Sequence, residues 1–438
     1  MIVPSARLIW LTAAAGFPLA VAGAVAPQAR VTAEVCGAVA VGAVLVDALL
    51  RRQALAGVRV ELPELARFFK DRAGEIRVRL HNPTSRERRI AVGIVAPAAI
   101  DAEAEEQRVE LPGGAAAAEF AWRCTPRRRG RYVIDSCYLE APSPLGFWLV
   151  RQRMAVALEI RVYPNLRGSD DLKALRRGVD GVHSLRQLGR GREFEKLREY
   201  IAGDGYDEIH WKATARRGRP VTKVFQVERT QEVYVVIDAS RLSGRSTNGD
   251  ETTLERSLSA ALILGAAAER RGDLFGLAAF ARNVEAFTRA RNGKAHYAAC
   301  RDAIYRLEPR AASPDFDEIA TFLRLRLRRR ALLLFLTALD DPVVAENFQR
   351  ATRLLSRRHL VVAVALQPPG AKPLFQGGDV ESIDDVYRHL AGHLTWRHLR
   401  ELEVALGRQG VRLALVEPTA LSTGLVRLYD EVKQRQLL

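Results

Sequence analysis

The chain has 438 residues, a length that favours two or three domains with real cores. Apolar residues make up 48% and charged residues 27%, which excludes a fully disordered chain. A formal charge of +16 points to an anionic partner, whether nucleic acid, an acidic protein or an anionic lipid surface.

Two apolar runs open the chain. LIWLTAAAGFPLAVAGAVA covers Leu8 to Ala26, and VTAEVCGAVAVGAVLVDALL covers Val31 to Leu50. Each is about the ~20 residues that a helix needs to cross a bilayer. The link from Pro27 to Arg30 suits only a tight hairpin. Arg7 before the first run, with Arg51 and Arg52 after the second, predicts both ends on the cytoplasmic side of a bacterial-type inner (plasma) membrane. The rival reading is a signal peptide cleaved after Ala24-Val25-Ala26; the second run and its closing Arg-Arg oppose it. Glu34 and Asp47 each lie within about a turn of a span end, where they are expected to reach the headgroups.

From Val58 to Pro164 the pattern turns to period two. GEIRVRLHN, RRIAVGIVA, AAAEFAWRC, GRYVIDSCYLEA and AVALEIRVYP alternate apolar and polar residues, with Gly, Pro and Asn between them. This predicts an antiparallel, immunoglobulin-like β-sandwich. Arg127 to Arg131 carries four Arg around Gly130 and reads as a solvated turn. The cysteines, Cys36, Cys124, Cys137 and Cys300, form no C-x-x-C pair, so a zinc site or thioredoxin motif has no support and reduced thiols are expected.

After Glu228, continuous apolar strands alternate with amphipathic helices: EVYVVIDAS, a helix around TLERSLSAALILGAAAERRG, then DLFGLAAFA, ALLLFLTAL, LVVAVAL and VRLALVEP with helices between them. That is the signature of a mainly parallel sheet covered on both faces. No G-x-G-x-x-G follows a strand and no Walker A sequence is present, so nucleotide binding by those routes has no support. Ligands of such sheets sit beyond the C-terminal strand ends, where Asp238, Ser240, Asp340 and Asp341 fall. Hard oxygen ligands suit Mg²⁺ or Ca²⁺; the alternative is that these side chains cap the following helices.

The segment REYIAGDGYDEIHWKATARRGRPVTKVFQVE, followed by a strand ending IDAS, resembles the signature of the domain of unknown function 58 family. RRRGRY and SPLGFW in the β-rich middle resemble that family too. The resemblance implies two membrane helices, a β-sandwich, the signature and a von Willebrand factor A-like domain. It also implies an interaction protein rather than a known enzyme, with a MoxR-type AAA+ ATPase as partner. The family's metal-ion-dependent adhesion site begins Asp-x-Ser-x-Ser, and this chain departs from it. Asp238 and Ser240 are kept, Leu242 replaces the second Ser, Ser313 and Pro314 stand where a Thr is expected, and Ala338 precedes Asp340. Any Mg²⁺ is therefore expected to bind weakly or not at all at this degenerate site.

The signature supports three readings. As an active site, it offers His210 beside Asp204, Asp207 and Glu208, but no second His at ligand spacing and no partnered nucleophile. As a nucleic-acid grip, its Arg216, Arg217, Arg219 and Lys223 are opposed by the same acids. As a docking surface, Arg198, Tyr200, Gly203, Asp204 and Asp207 form its first half, and Ile209, Trp211, Lys212, Arg216 and Arg217 its second. On this third reading Trp211 is a buried plug, either sharing one strand face with Ile209 or anchoring a short helical turn, and VTKVFQVE forms a hairpin with EVYVVID.

The sequence thus predicts a multidomain chain. Residues 1–56 form a transmembrane hairpin, with helices at about 8–26 and 31–50. Residues 57–165 form the sandwich, 166–230 the linker and signature, and 231–438 the α/β von Willebrand factor A-like domain. The expected function is a non-enzymatic adaptor or scaffold that contacts anionic lipid and a protein partner, a MoxR-type AAA+ ATPase or an envelope-related complex. The alternative is a metal-dependent membrane-associated enzyme using His210 with Asp204, Asp207 and Glu208. The Leu-Arg alternation of LRLRLRRR, Leu323 to Arg330, fits a lipid surface as well.

Overall fold

The computed structural model describes residues 1–25, 30–50, 54–82, 87–111, 117–166, 188–189, 193–201, 205–206, 209–226, 231–247, 251–374 and 382–435. Of these, 188–189, 193–196 and 223–226 are described by backbone alone. The chain divides into two compact units, Met1–Asn165 and Leu166–Leu438.

In the first unit two helices, α1 (Ala6–Val25) and α2 (Arg30–Leu50), are each long and apolar enough to cross a bilayer by length and composition. Ser5 caps α1 by accepting the Leu8 amide at 3.3 Å. A wider π-type turn over Thr12–Gly16 precedes Pro18, whose missing N–H cannot serve the regular ladder. Near the connection a Cβ on Gly23 would lie 2.9 Å from the Ala33 Cβ, so the two backbones approach closely there.

Among the described residues the remaining elements of this unit are strands: β1 (Ile2–Pro4), β2 (Arg59–Glu61), β3 (Leu65–Phe69), β4 (Gly74–His81), β5 (Arg88–Ile94), β6 (Ile100–Ala102), β7 (Glu106–Leu111), β8 (Ala117–Pro126), β9 (Gly130–Pro142) and β10 (Trp148–Tyr163). One sheet runs β1-β10-β9-β5-β7, with β3 added parallel to β10; the other runs β2-β4-β8-β6. Alternation does the work. In β4, Ile76, Val78 and Leu80 are buried while Glu75, Arg77 and Arg79 face water. Side chains of both sheets, among them Val78, Trp122, Cys137 and Leu158, fill one core. Burial pushes the Cys124 and Cys137 thiols up to about 11, so both are inert. Of the arginine-rich turn, Arg127 pairs with Asp101 and Asp71, and Arg131 with Glu159.

The expectation that Asp47 reaches the headgroups is not met. Asp47 is fully buried. Its carboxylate accepts the Ser143 hydroxyl at 2.5 Å and the Leu145 and Phe147 amides at 2.9 and 3.0 Å. One turn earlier, the Val44 carbonyl accepts the Trp148 indole N–H at 3.0 Å. The same 143–148 loop receives the other helix. The Ser5 amide donates to the Phe147 carbonyl at 2.9 Å and the Ser5 hydroxyl to the Gly146 carbonyl at 2.6 Å. Ahead of Ser5, β1 pairs antiparallel with β10, Val3 opposite Leu149. A carboxylate near a span end was free to go either way; three donors converging from a tight loop decide it.

The second unit begins with a small sheet, β11 (Leu188–Gly189), β13 (Val221–Gln226) and β12 (Glu193–Glu199), in the order β11-β13-β12. Here the expected hairpin between VTKVFQVE and EVYVVID does not form: β13 pairs with β11 and β12 instead. The main sheet holds β14 (Glu232–Asp238), β15 (Leu274–Phe280), β16 (Val284–Arg291), β17 (Ala331–Leu336), β18 (Leu360–Leu366) and β19 (Val411–Val416). Its order is β16-β15-β14-β17-β18-β19, parallel except for β16 at one edge. The helices are α3 (Trp211–Arg217), α4 (Thr253–Arg270), α5 (Lys294–Ile304), α6 (Phe316–Arg326), α7 (Pro342–Leu355), α8 (Ile383–Arg408) and α9 (Leu421–Gln434). Helices α4, α5 and α9 pack on one face of the main sheet, and α6, α7 and α8 on the other. Two-sided burial explains the unbroken apolar strands; all six residues of β17 are buried.

Removing the Asp47 carboxylate strands two amides and a hydroxyl in a partly buried loop. Asp47→Ala is expected to lower the stability of the first unit by about 3 kcal/mol. Thermal unfolding in detergent checks this, with Glu34→Ala as control, since among the described residues Glu34 pairs only with Arg30 at an exposed site. Equal stability of the two variants would contradict it.

Candidate functional site

Two surfaces of the second unit carry the side chains that the sequence singles out. The first is the rim of the main sheet. Strand β14 delivers Asp238 to its C-terminal end, only 3% exposed. One carboxylate oxygen accepts the Ser240 amide at 2.8 Å, and the other accepts the Thr337 hydroxyl at 2.7 Å. Burial raises the Asp238 pKa, and the hydrogen bonds from Ser240 and Thr337 oppose that rise. Ser240, fully buried, caps the short turn Arg241–Gly244 by accepting the Leu242 amide at 3.4 Å. Ser243 turns back to the Ser240 carbonyl at 2.7 Å.

Asp340 forms an ion pair with Arg245 at 2.6 Å. Asp341 caps α7 through the Val343 and Val344 amides. Ser313 and Pro314 lie on a segment joined to this loop by the Arg241 amide, which donates to the Ala312 carbonyl at 2.9 Å; Ser313 itself is exposed. A cavity of about 400 Å³ opens beside the rim, lined by Thr337, Asp340, Arg245, Thr247, Lys372 and Glu417.

These residues do not fit a divalent cation. Both Asp238 oxygens serve protein donors, its burial favours the protonated form, and the Arg245 guanidinium neutralises Asp340. Among the described residues, no three His, Cys, Asp or Glu side chains converge to hold a metal. Thr337 is the residue that sequence reasoning passed over. Its signal was available, because Ile237 of β14 pairs with Leu336 of β17, so the next residues of the two strands must be neighbours.

The second surface is the signature segment. Its floor is Ile209, which bridges to Thr222 and is 7% exposed, with Val221 fully buried beside it. His210 then starts α3. Its amide donates to the Val221 carbonyl at 2.8 Å, and its Nδ1 accepts the Ala213 amide at 3.0 Å. That bond leaves the ring proton on Nε2 and makes His210 a helix cap. Thr214 accepts the Val221 amide at 3.1 Å, and Gly218, at φ 66°, closes the helix with its amide on the Thr214 carbonyl.

The Trp211 side chain is not a plug: it is 67% exposed. The chain turns helical immediately after Ile209, which ends the two-residue alternation that would have buried both side chains on one face. The Lys212, Arg216 and Arg217 side chains are exposed on the same helix. Tyr206 is 78% exposed and stacks on Tyr200 with ring centroids 6.2 Å apart; Ile201 is 62% exposed. Arg198 donates to the Glu199 carbonyl at 3.2 Å, and Arg219 pairs with Glu199 at 2.6 Å. Gly203, Asp204, Asp207 and Glu208 lie outside the described residues, as does the side chain of Lys223.

Comparison with known proteins adds one family. The model of the family described as "Protein of unknown function DUF58" matches residues 196–390, a span that runs from β12 into α8. Curated relatives in Mycobacterium bovis and Mycobacterium tuberculosis, each named only as an uncharacterized protein, are 27% identical over 196 residues. The match covers 44% of this chain and 60% of each relative. Among solved structures, a protein of unknown function from Porphyromonas gingivalis aligns at 17% identity and a TM-score of 0.18, covering 25% of this chain and 48% of that one. Proximal thread matrix protein 1 from the mussel byssus aligns at 14% identity and a TM-score of 0.26, covering 46% of each chain. Neither score supports a fold assignment.

The rim carries its own test. The Asp238 pKa lies above its ordinary 3.8 in the folded chain, so the folded state holds this proton longer than the unfolded one. Its contribution to stability is therefore greatest at acid pH and falls as pH rises from about 4 through the raised value. Asp238→Asn keeps the shape, accepts the Ser240 amide and can donate to Thr337. Its stability relative to the native chain is expected to rise from pH 4 to pH 8 in thermal unfolding. A relative fall over that range would contradict the assignment.

Proposed function

We propose, for a chain whose residues 196–390 are a DUF58 region, a non-enzymatic adaptor held in a membrane by α1 and α2. On this reading the two helices cross a bacterial inner membrane as a hairpin, and everything after residue 50 is cytoplasmic. Support comes from the 143–148 loop, which holds Ser5 ahead of one helix and Asp47 near the end of the other. Two segments fixed to one loop belong on one side of a bilayer. The pairing of β1 with β10 also weighs against removal of the first helix as a signal peptide.

The α/β unit is read as a von Willebrand factor A-like domain whose metal site is replaced by protein contacts, and the first unit's two sheets as an immunoglobulin-like sandwich. The observation that carries the adaptor reading is the exposed Trp211, 67% accessible, on a short capped helix that also exposes Lys212, Arg216 and Arg217. Trp and Arg are the side chains that anchor protein interfaces, and a capped helix presents them at little ordering cost. Tyr206 and Ile201 add exposed apolar area within the same signature segment. The partner then offers an apolar pocket with an acidic rim. The family resemblance makes a MoxR-type AAA+ ATPase the first candidate.

Affinity purification from native membranes with mass spectrometry tests this. A AAA+ ATPase is expected with the native chain and reduced about tenfold with the folded Trp211→Ala/Arg217→Glu variant. Its absence from both preparations, or equal recovery with both, would overturn the docking assignment.

A further inference from the structure

The motif LRLRLRRR finds a counterpart in the fold that the sequence does not announce. Helices α6 and α7 pack on the same face of the main sheet. Their C-terminal ends lead into β17 and β18, which are parallel neighbours with Leu332 opposite Leu360. The approaches to these strands therefore lie side by side. Arg328, Arg329 and Arg330 on one approach, and Arg357 and Arg358 on the other, are all exposed. The Arg358 guanidinium donates to the Arg328 carbonyl at 2.6 Å and ties the two together. Neither 324–330 nor 353–359 contains an acid.

Two observations narrow the kind of anion this edge fits. Leu325 is 79% exposed and Leu354 49% exposed, each set among these arginines. Neither segment exposes an aromatic side chain on which a base could stack. Beneath the arginines, His359 is 2% exposed, with no hydrogen-bond partner for either ring nitrogen among the described residues. Burial, then Arg358 and Arg330, hold its pKa below the usual value.

We infer that this edge docks on anionic lipid headgroups, with Leu325 and Leu354 entering the acyl boundary between guanidiniums bound to phosphate. The inference rests on the membrane anchoring proposed above for α1 and α2, which would keep such a surface within reach.

Hydrogen exchange on the full chain in lipid nanodiscs tests it, comparing phosphatidylcholine alone with discs that include about 30 mol% phosphatidylglycerol. Amides of 324–330 and 354–359 are expected to exchange about tenfold more slowly in the anionic discs. The effect should vanish in about 0.5 M NaCl and in the Arg329→Glu/Arg357→Glu/Arg358→Glu variant, whose β17 amides should stay protected and so report an intact fold. Equal exchange in both discs, with 6–25 and 30–50 still protected, would overturn the lipid contact alone. Loss of protection over 6–25 and 30–50 as well would overturn the anchor and the contact together. Slowing by a single-stranded DNA oligomer where phosphatidylglycerol has no effect would also overturn it, in favour of nucleic acid.

Discussion

One buried carboxylate organises the first unit. Asp47 lies at 0% exposure and accepts three hydrogen bonds from the 143–147 loop. A charge in that position is tolerable only if donors surround it, and the loop supplies two amides and a hydroxyl in fixed geometry. Because Ser5 binds the same loop from the other helix, the sandwich and the two helices cannot reorient independently without breaking this set. The exposed Glu34 near the other end of α2 shows the contrast: its ion pair with Arg30 faces open surroundings and constrains little.

The second unit uses the same logic at the rim of its sheet. Asp238, a potential ligand, is satisfied inside the protein by Ser240 and Thr337, while Arg245 answers Asp340. Polar groups spent on each other hold loops together and leave little for an ion. Exposed chemistry is found elsewhere, on the capped helix α3 and on the arginine edge before β17 and β18. Neither surface needs a moving part, since cap, strand pairing and sheet fix the side-chain origins.

Much of the secondary structure was legible because the pattern and the burial coincide. The alternation in β4 and the unbroken β17 read directly as one-sided and two-sided burial. Both bilayer-length helices lie within two residues of their expected starts. Contacts between distant segments were not legible. Nothing local to Asp47 names Ser143, and nothing local to Val221–Gln226 chooses β11 and β12 over β14 as partners. The strand-face placement of Trp211 failed for a different reason: a short helix begins at Trp211 itself, where the strand period would have buried it. The last helix, α9, was hidden by Gly424 in its first turn, where a Cβ would meet the Val416 side chain at 2.8 Å.

The central claim is that the segment before α1 stays paired with the sandwich while α1 and α2 cross the membrane. Val3 and Leu149 are cross-strand partners, so a Val3→Cys/Leu149→Cys chain with Cys36→Ser can report that pairing in native membranes. Oxidation followed by mass spectrometry of the cross-linked peptides is the measurement. A disulfide between positions 3 and 149 in the folded, membrane-extracted protein is the predicted result. A mature chain that begins after α1, or a folded chain in which the pair does not close, would contradict the claim.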